Sequence, residues 1–297
     1  MQFRETELLK IAFEMEGAPF APPVFLLHGW PDASVGWTQV ASILRERNFK
    51  TIVPCLRGSY PTEFRWEETP RLAGATAMAQ DVIDLADSLG ISRFAVVGHD
   101  WGARIAYTLA ALFPERVPAI VALALAYQPR GEFHLGSFLQ SRQFWYQFFQ
   151  CTDAGAEAVR RQPVEFARIQ WDTWSPEGWF AEADFQTASR YFDKPDWAEI
   201  TLNAYRSRYL SGEVIDHRYD DLQARLRKID ALTVPTLMIQ GGSDFCDLPS
   251  ASERQERYFL NGYERIVLDG VGHFPHREAP AAVAAAIERF LRLHHTF

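Results

Sequence analysis

Basic residues, cysteines and long apolar runs are all scarce in this chain of 297 residues. Lys and Arg number 30 against 38 Asp and Glu, a formal net charge of −8. Nucleic acid and anionic membrane surfaces both demand a basic face, so neither partner is expected. Cys55, Cys151 and Cys246 are odd in number, widely separated and lack metal-ligand spacing. They read as reduced, incidental thiols of a cytoplasmic protein, and no metal site is expected. No stretch approaches the ~18 apolar residues of a membrane span. The polar opening MQFRETELLKIAFEMEGAPF lacks the apolar centre of a secretory leader. Internal repeats and low-complexity tracts are absent too. What is present, 47% hydrophobic and 23% charged residues, suits a globular protein with a large core.

Short apolar runs bounded by glycine and proline alternate with helical patterns. Val24–Leu27, Lys50–Pro54, Phe94–Val97, Val117–Ala124, Val234–Ile239 and Tyr263–Leu268 read as buried strands. Trp37–Arg47, Ala73–Leu89, Trp101–Phe113 and Pro280–Leu293 read as helices. Strands and helices alternating at this pace imply right-handed βαβ units, a mostly parallel central sheet and the α/β class. Between about Gln128 and Asp216 the character changes to Trp, Phe, Tyr, Arg and Gln without a buried-strand run. The expected organisation is a core of residues 1–128 and 217–297, split by a helical cap of residues 129–216.

Gly98-His99-Asp100-Trp101-Gly102 lies between a strand and a helix, the context of a nucleophile elbow. The usual serine at its centre is missing, and Asp100 stands there. A serine needs a base before it attacks, whereas a carboxylate with a pKa near ~4 is already anionic at neutral pH. It can displace a leaving group from saturated carbon and form an alkyl–enzyme ester. A histidine is then free to activate the water that cleaves the ester. His273, in the loop Val271-Gly272-His273-Phe274-Pro275 before the last helix, is the candidate base. His276, three residues on, is expected to be exposed. Asp244, just past the strand Val234–Ile239, is the favoured acid to orient His273; Asp247 is the rival. Backbone N–H groups of Trp30 and Trp101 are candidates for stabilising charge on the ester carbonyl.

With His28-Gly29-Trp30-Pro31, Gly98-His99-Asp100-Trp101-Gly102 and Gly272-His273-Phe274-Pro275, the chain resembles the epoxide hydrolase and haloalkane dehalogenase branch of the α/β-hydrolase superfamily. The resemblance implies an α/β-hydrolase fold with an inserted helical cap, an Asp–His–acid triad and no cofactor. It places His28 with Trp30 and Trp101 at the oxyanion or substrate side. It also implies a small apolar organic substrate and a monomer or homodimer. Opening an epoxide releases an alkoxide that needs a proton, and a phenol with pKa around 10 can supply it. Phe144–Gln150 and Leu202–Arg206 are similar to the cap segments that carry such phenols. They nominate Tyr146 and Tyr205, with Tyr191 and Tyr209 in reserve. A halide needs only weak N–H donors, which Trp101, Trp145, Trp171, Trp174, Trp179 or Trp197 could provide, so haloalkane or haloacid dehalogenation stays open. Arg104 is expected to be a surface arginine rather than a carboxylate clamp. Phe138, Phe144, Trp145, Phe148 and Phe149 are expected to roof an apolar pocket. A ligand receptor or scaffold on the same fold is the alternative outside enzymes.

Overall fold

The computed structural model describes residues 1–192, 194–213 and 216–294. Its strands are β1 (Gln2–Glu5), β2 (Leu9–Glu16), β3 (Pro23–Leu27), β4 (Lys50–Pro54), β5 (Glu63–Phe64), β6 (Ala95–His99), β7 (Ile120–Leu123), β8 (Thr236–Gly241) and β9 (Tyr263–Leu268). They form one sheet in the order β1-β2-β4-β3-β6-β7-β8-β9, with β5 paired to β2. From β4 through β9 every pairing is parallel. The antiparallel pairings all involve β2. This is the expected mostly parallel sheet, and the six strands expected from apolar runs are all present. The pair β1 and β2 was not among them. Yet Leu9, Ile11 and Phe13 are buried and alternate with exposed Lys10 and Glu14 or short Ala12, the pattern of a strand near a sheet edge.

Helices α1 (Thr38–Glu46), α2 (Ala75–Ser88), α3 (Trp101–Leu112), α4 (Phe138–Gln143), α5 (Trp145–Cys151), α6 (Asp153–Arg161), α7 (Pro163–Thr173), α8 (Glu182–Ser189), α9 (Pro195–Arg206), α10 (Asp220–Leu226), α11 (Pro275–Glu278) and α12 (Pro280–His294) complete the chain. β3, β6, β7 and β8 are apolar on both faces, as strands covered by helices on both sides must be. Val24, Leu26, Val97, Val121 and Ile239 meet Val40 and Leu44 of α1 and Ile287 and Phe290 of α12. Phe25, Leu27, Val96 and Ala122 meet Val82, Ile83, Ile105 and Leu109 of α2 and α3 on the opposite face.

Side chains of the 138–206 helical stretch bond to loops that follow the carboxyl ends of strands. Thr201 reaches Trp30 after β3, Tyr205 reaches Trp101 after β6, and Ser175 reaches His273 after β9. Among the described residues no helix is long and apolar enough to cross a membrane.

Candidate active site

Asp100 turns the chain from β6 into α3 with φ 50° and ψ −111°. A positive φ costs a non-glycine residue on the order of 1–3 kcal/mol and marks strain held by its surroundings. The flanking glycines allow close approach rather than supplying the unusual φ themselves. A Cβ on Gly98 would lie 2.0 Å from the Gly102 carbonyl oxygen, and one on Gly102 would lie 2.1 Å from that of Leu27. Helix α3 therefore presses against β3 and β6, and Asp100 is forced out over the strand ends.

Three loops converge there. Trp30, after β3, donates its backbone N–H to Asp100 Oδ1 at 2.9 Å. His273, after β9, points Nε2 at Asp100 Oδ2 across 3.8 Å, beyond hydrogen-bonding distance. Asp244, after β8, holds His273 Nδ1 with Oδ2 at 3.0 Å and Oδ1 at 3.1 Å. Asp244 is itself fixed by the backbone N–H groups of Cys246 and Asp247 and by the Gln240 amide. Asp247, the rival acid, instead accepts the Ala126 N–H at 3.0 Å. Ser175 and Glu278 cradle the His273 loop: Ser175 Oγ accepts the His273 N–H, and Glu278 accepts those of Gly272 and Phe274.

This is an electrostatically loaded centre. Burial alone would lower the His273 pKa, but Asp244, Asp100 and Asp247 together raise it to about 9. Burial and then Asp244 push Asp247 up to about 7. Burial also raises Asp244, against the pull of His273.

Both nominated phenols reach this centre. Tyr146 on α5 and Tyr205 on α9 are buried, with ring centroids 5.3 Å apart in an edge-to-face arrangement. Trp30 lies against both, at 5.5 and 5.2 Å. Burial is the main reason each hydroxyl titrates well above 10. Both are therefore intact O–H donors at neutral pH. Tyr205 Oη accepts the Trp101 indole N–H at 3.1 Å, and Tyr146 Oη accepts the Gln147 amide N–H at 3.1 Å. Trp101, Tyr146, Phe166, Trp174, Trp197 and Tyr205 pack around the ring of Trp30, whose backbone N–H bonds Asp100, and Asp100 is 6% exposed.

Several expectations need correction. His28 does not face Asp100: its Nδ1–H donates to the Gly29 carbonyl and its Nε2 accepts the Leu56 N–H, so it braces the turn. His276 is fully buried and donates Nε2–H to Asp32 at 2.8 Å. Arg104 is half-buried, with no side-chain partner among the described residues; burial and neighbouring Arg208 lower it to about 10. Of the expected roof only Phe144 is buried, whereas Phe138, Trp145, Phe148 and Phe149 are exposed. Trp101 brings its indole to Tyr205, while the backbone N–H on Asp100 comes from Trp30. Of the reserve phenols, Tyr209 donates to Gln147 Oε1 and Tyr191 neighbours Cys55 and Ser34.

Gln147, Thr201 and Ser175 were not anticipated, because a lone Gln, Thr or Ser carries no motif. Asp32, His99 and His276 bring ligand-type atoms within 4.8 Å of one another. Asp32 already takes a forked ion pair from Arg277, so the group is a satisfied charge network rather than a cation cradle.

An α/β sheet crossed by a strained acidic elbow, with a His–Asp pair on the next loops, defines a hydrolase. The chain belongs to the alpha/beta hydrolase fold family, whose profile it matches over residues 22–280. It is 34% identical to a crystal structure from Klebsiella pneumoniae, a protein provisionally assigned as an epoxide hydrolase. That match has a TM-score of 0.91 and covers 98% of this chain and 97% of that one. Epoxide hydrolase A of Mycobacterium tuberculosis is 25% identical over 97% of this chain and 95% of its own length. An epoxide hydrolase of Caballeronia sordidicola is 29% identical, over 91% and 88%.

Proposed function

We propose that the protein hydrolyses epoxides to vicinal diols through an ester on Asp100. The observation that carries this reading is the pair of buried phenols packed edge-to-face against Trp30, whose N–H bonds Asp100. An Asp100 oxygen attacks one oxirane carbon; the ring C–O bond breaks, and its electron pair takes a proton from Tyr146 or Tyr205. His273 then accepts a proton from water, and the resulting hydroxide adds to the Asp100 carbonyl carbon. The Trp30 N–H stabilises the charge that develops on that carbonyl oxygen. Collapse expels the diol oxygen, which takes the proton from His273. The proton left on the Asp100 carboxyl replaces the one the phenol gave up, so the cycle closes on epoxide plus water.

Dehalogenation is less well supported, because the indole next to Asp100 is not a free N–H donor for a halide. The Trp101 indole beside Asp100 is already bonded to Tyr205, and Trp171 and Trp179 bond the Pro31 and Trp171 carbonyls; among the described residues Trp145, Trp174 and Trp197 keep the unbonded indoles that dehalogenation would have to recruit. In this reading residues 129–216 act as the cap that brings both phenols to the core and excludes water. The aromatic cluster around Trp30 suits a small apolar epoxide. Three free cysteines support a cytoplasmic setting.

The test is a His273→Ala variant incubated separately with styrene oxide and 1-bromobutane, followed by mass analysis of the peptide containing Asp100. An adduct from the epoxide alone is expected. An adduct from the bromide alone, with halide release, would shift the function to dehalogenation. No adduct from either would point to the receptor alternative.

A further inference from the structure

Helix α5 puts amides inside. Its sequence WYQFFQC leaves Trp145, Phe148 and Phe149 partly exposed, at 41, 39 and 37%, and buries Tyr146, Gln147 and Gln150. Burying an amide costs free energy unless its donors and acceptor are matched, so a glutamine preferred over exposed aromatics asks for a reason.

The bonds around Gln147 supply one. Its Oε1 accepts from Arg208 Nη1 at 2.9 Å and from the Tyr209 hydroxyl at 2.9 Å. A guanidinium has donors only, so the atom facing Arg208 must be the amide oxygen. The NH2 side is thereby turned to Tyr146, where it donates to Oη at 3.1 Å. That N–H occupies a lone pair of the phenol and leaves its own proton free to point elsewhere. The other polar neighbour of the hydroxyl is Cys246 Sγ at 3.8 Å, a weak contact that a better acceptor would displace.

Tyr205 repeats the pattern. Its Oη accepts the Trp101 indole N–H, a donor that cannot accept the phenol proton in return. Arg208 touches both halves of this arrangement: it bonds Gln147 and stacks on the Tyr205 ring at 4.8 Å.

We infer that Gln147 is a positioning residue whose amide, locked by Arg208 and Tyr209, directs the Tyr146 proton toward the leaving oxygen. The inference rests on the epoxide reading above and names how that site is set. It is confined to ester formation, because ester breakdown runs on His273 and water.

The decisive variant is Gln147→Glu. It keeps the side-chain volume and strengthens the contact with Arg208, but a carboxylate cannot donate to Tyr146 and instead draws the phenol proton to itself. Single-turnover mixing with styrene oxide separates ester formation from ester breakdown. Gln147→Glu is expected to slow ester formation at least tenfold, to within threefold of Tyr146→Phe, and to change ester breakdown less than twofold. Arg208→Met, at a half-buried position, is expected to slow the same step by a smaller factor, and Arg208→Lys to restore part of it. A general loss of structure would slow both steps. If Tyr146→Phe is slow while Gln147→Glu and Arg208→Met both form the ester at the wild-type rate, the inference is overturned and the proposed function stands. If Tyr146→Phe itself forms the ester at the wild-type rate, the donor role of Tyr146 falls and the inference falls with it.

Discussion

Replacing Asp100 with Asn should change the acidity of His273 by a predictable amount. His273 sits between two carboxylates, and its pKa of about 9 exceeds the ordinary 6.5. That difference corresponds to about 3 kcal/mol in favour of the imidazolium. The nearest oxygen of Asp100 is 3.8 Å from Nε2. At an effective dielectric of about 20, a pair of unit charges at that spacing interacts by about 4 kcal/mol, an upper bound equivalent to about three pKa units. Asp100→Asn removes this attraction and leaves Asp244 in place, so His273 should titrate roughly one to three units lower. In the proposed mechanism, alkylation of Asp100 would remove the same charge and shift His273 toward the neutral base that ester breakdown needs. Titration of the ¹⁵N-labelled imidazole by NMR in wild type and Asp100→Asn measures the shift. A His273 pKa that stays within about half a unit of the wild-type value would refute the electrostatic reasoning. The coupling also has a sign in stability. A raised histidine stabilises the fold fully below its unfolded value of about 6.5, and this contribution fades as pH rises through about 9. Denaturant titrations across that window should show wild type losing more stability than His273→Ala.

Three further outcomes are expected. Asp244→Asn should reduce ester breakdown by roughly 10³–10⁴, as loss of the orienting acid does in other triads, while Asp247→Asn should cost less than about tenfold; stopped-flow turnover distinguishes them. Asp32→Asn should destabilise the protein by about 3–5 kcal/mol in urea, because it strands the Arg277 guanidinium and His276. Burial would raise the Asp32 carboxyl, but Arg277 and His276 hold it well below the ordinary range. Its contribution is thus present above the unfolded value of about 3.9 and is lost as pH falls through the folded one. Gly102→Ala should cost more than about 4 kcal/mol or prevent folding, since the new methyl meets the Leu27 carbonyl at 2.1 Å; thermal unfolding of the purified variant checks it.

What could be read from the sequence, and what could not, divides along a physical line. The elbow at Asp100 announces itself because a strained strand-to-helix turn under tight packing leaves few residues that fit, and those residues sit next to one another. The same holds for His273 in its Gly-His-Phe-Pro loop and for the parallel strands, whose apolar runs are continuous because both faces are covered. His276 could not be placed, because the acid that buries it, Asp32, is 244 positions away. Helix α5 fails differently. Seven residues make under two turns, and the usual rule that apolar residues face inward points its aromatics at the substrate. The fold instead buries Gln147 and Gln150 beside Tyr146 and leaves the three aromatics partly exposed. Local patterning is set by the average need to bury carbon, and natural proteins depart from it at functional or strained sites. An inward Gln beside an inward Tyr, on a helix that leaves three aromatics partly exposed, is the break in pattern on which the proposed role of Gln147 rests.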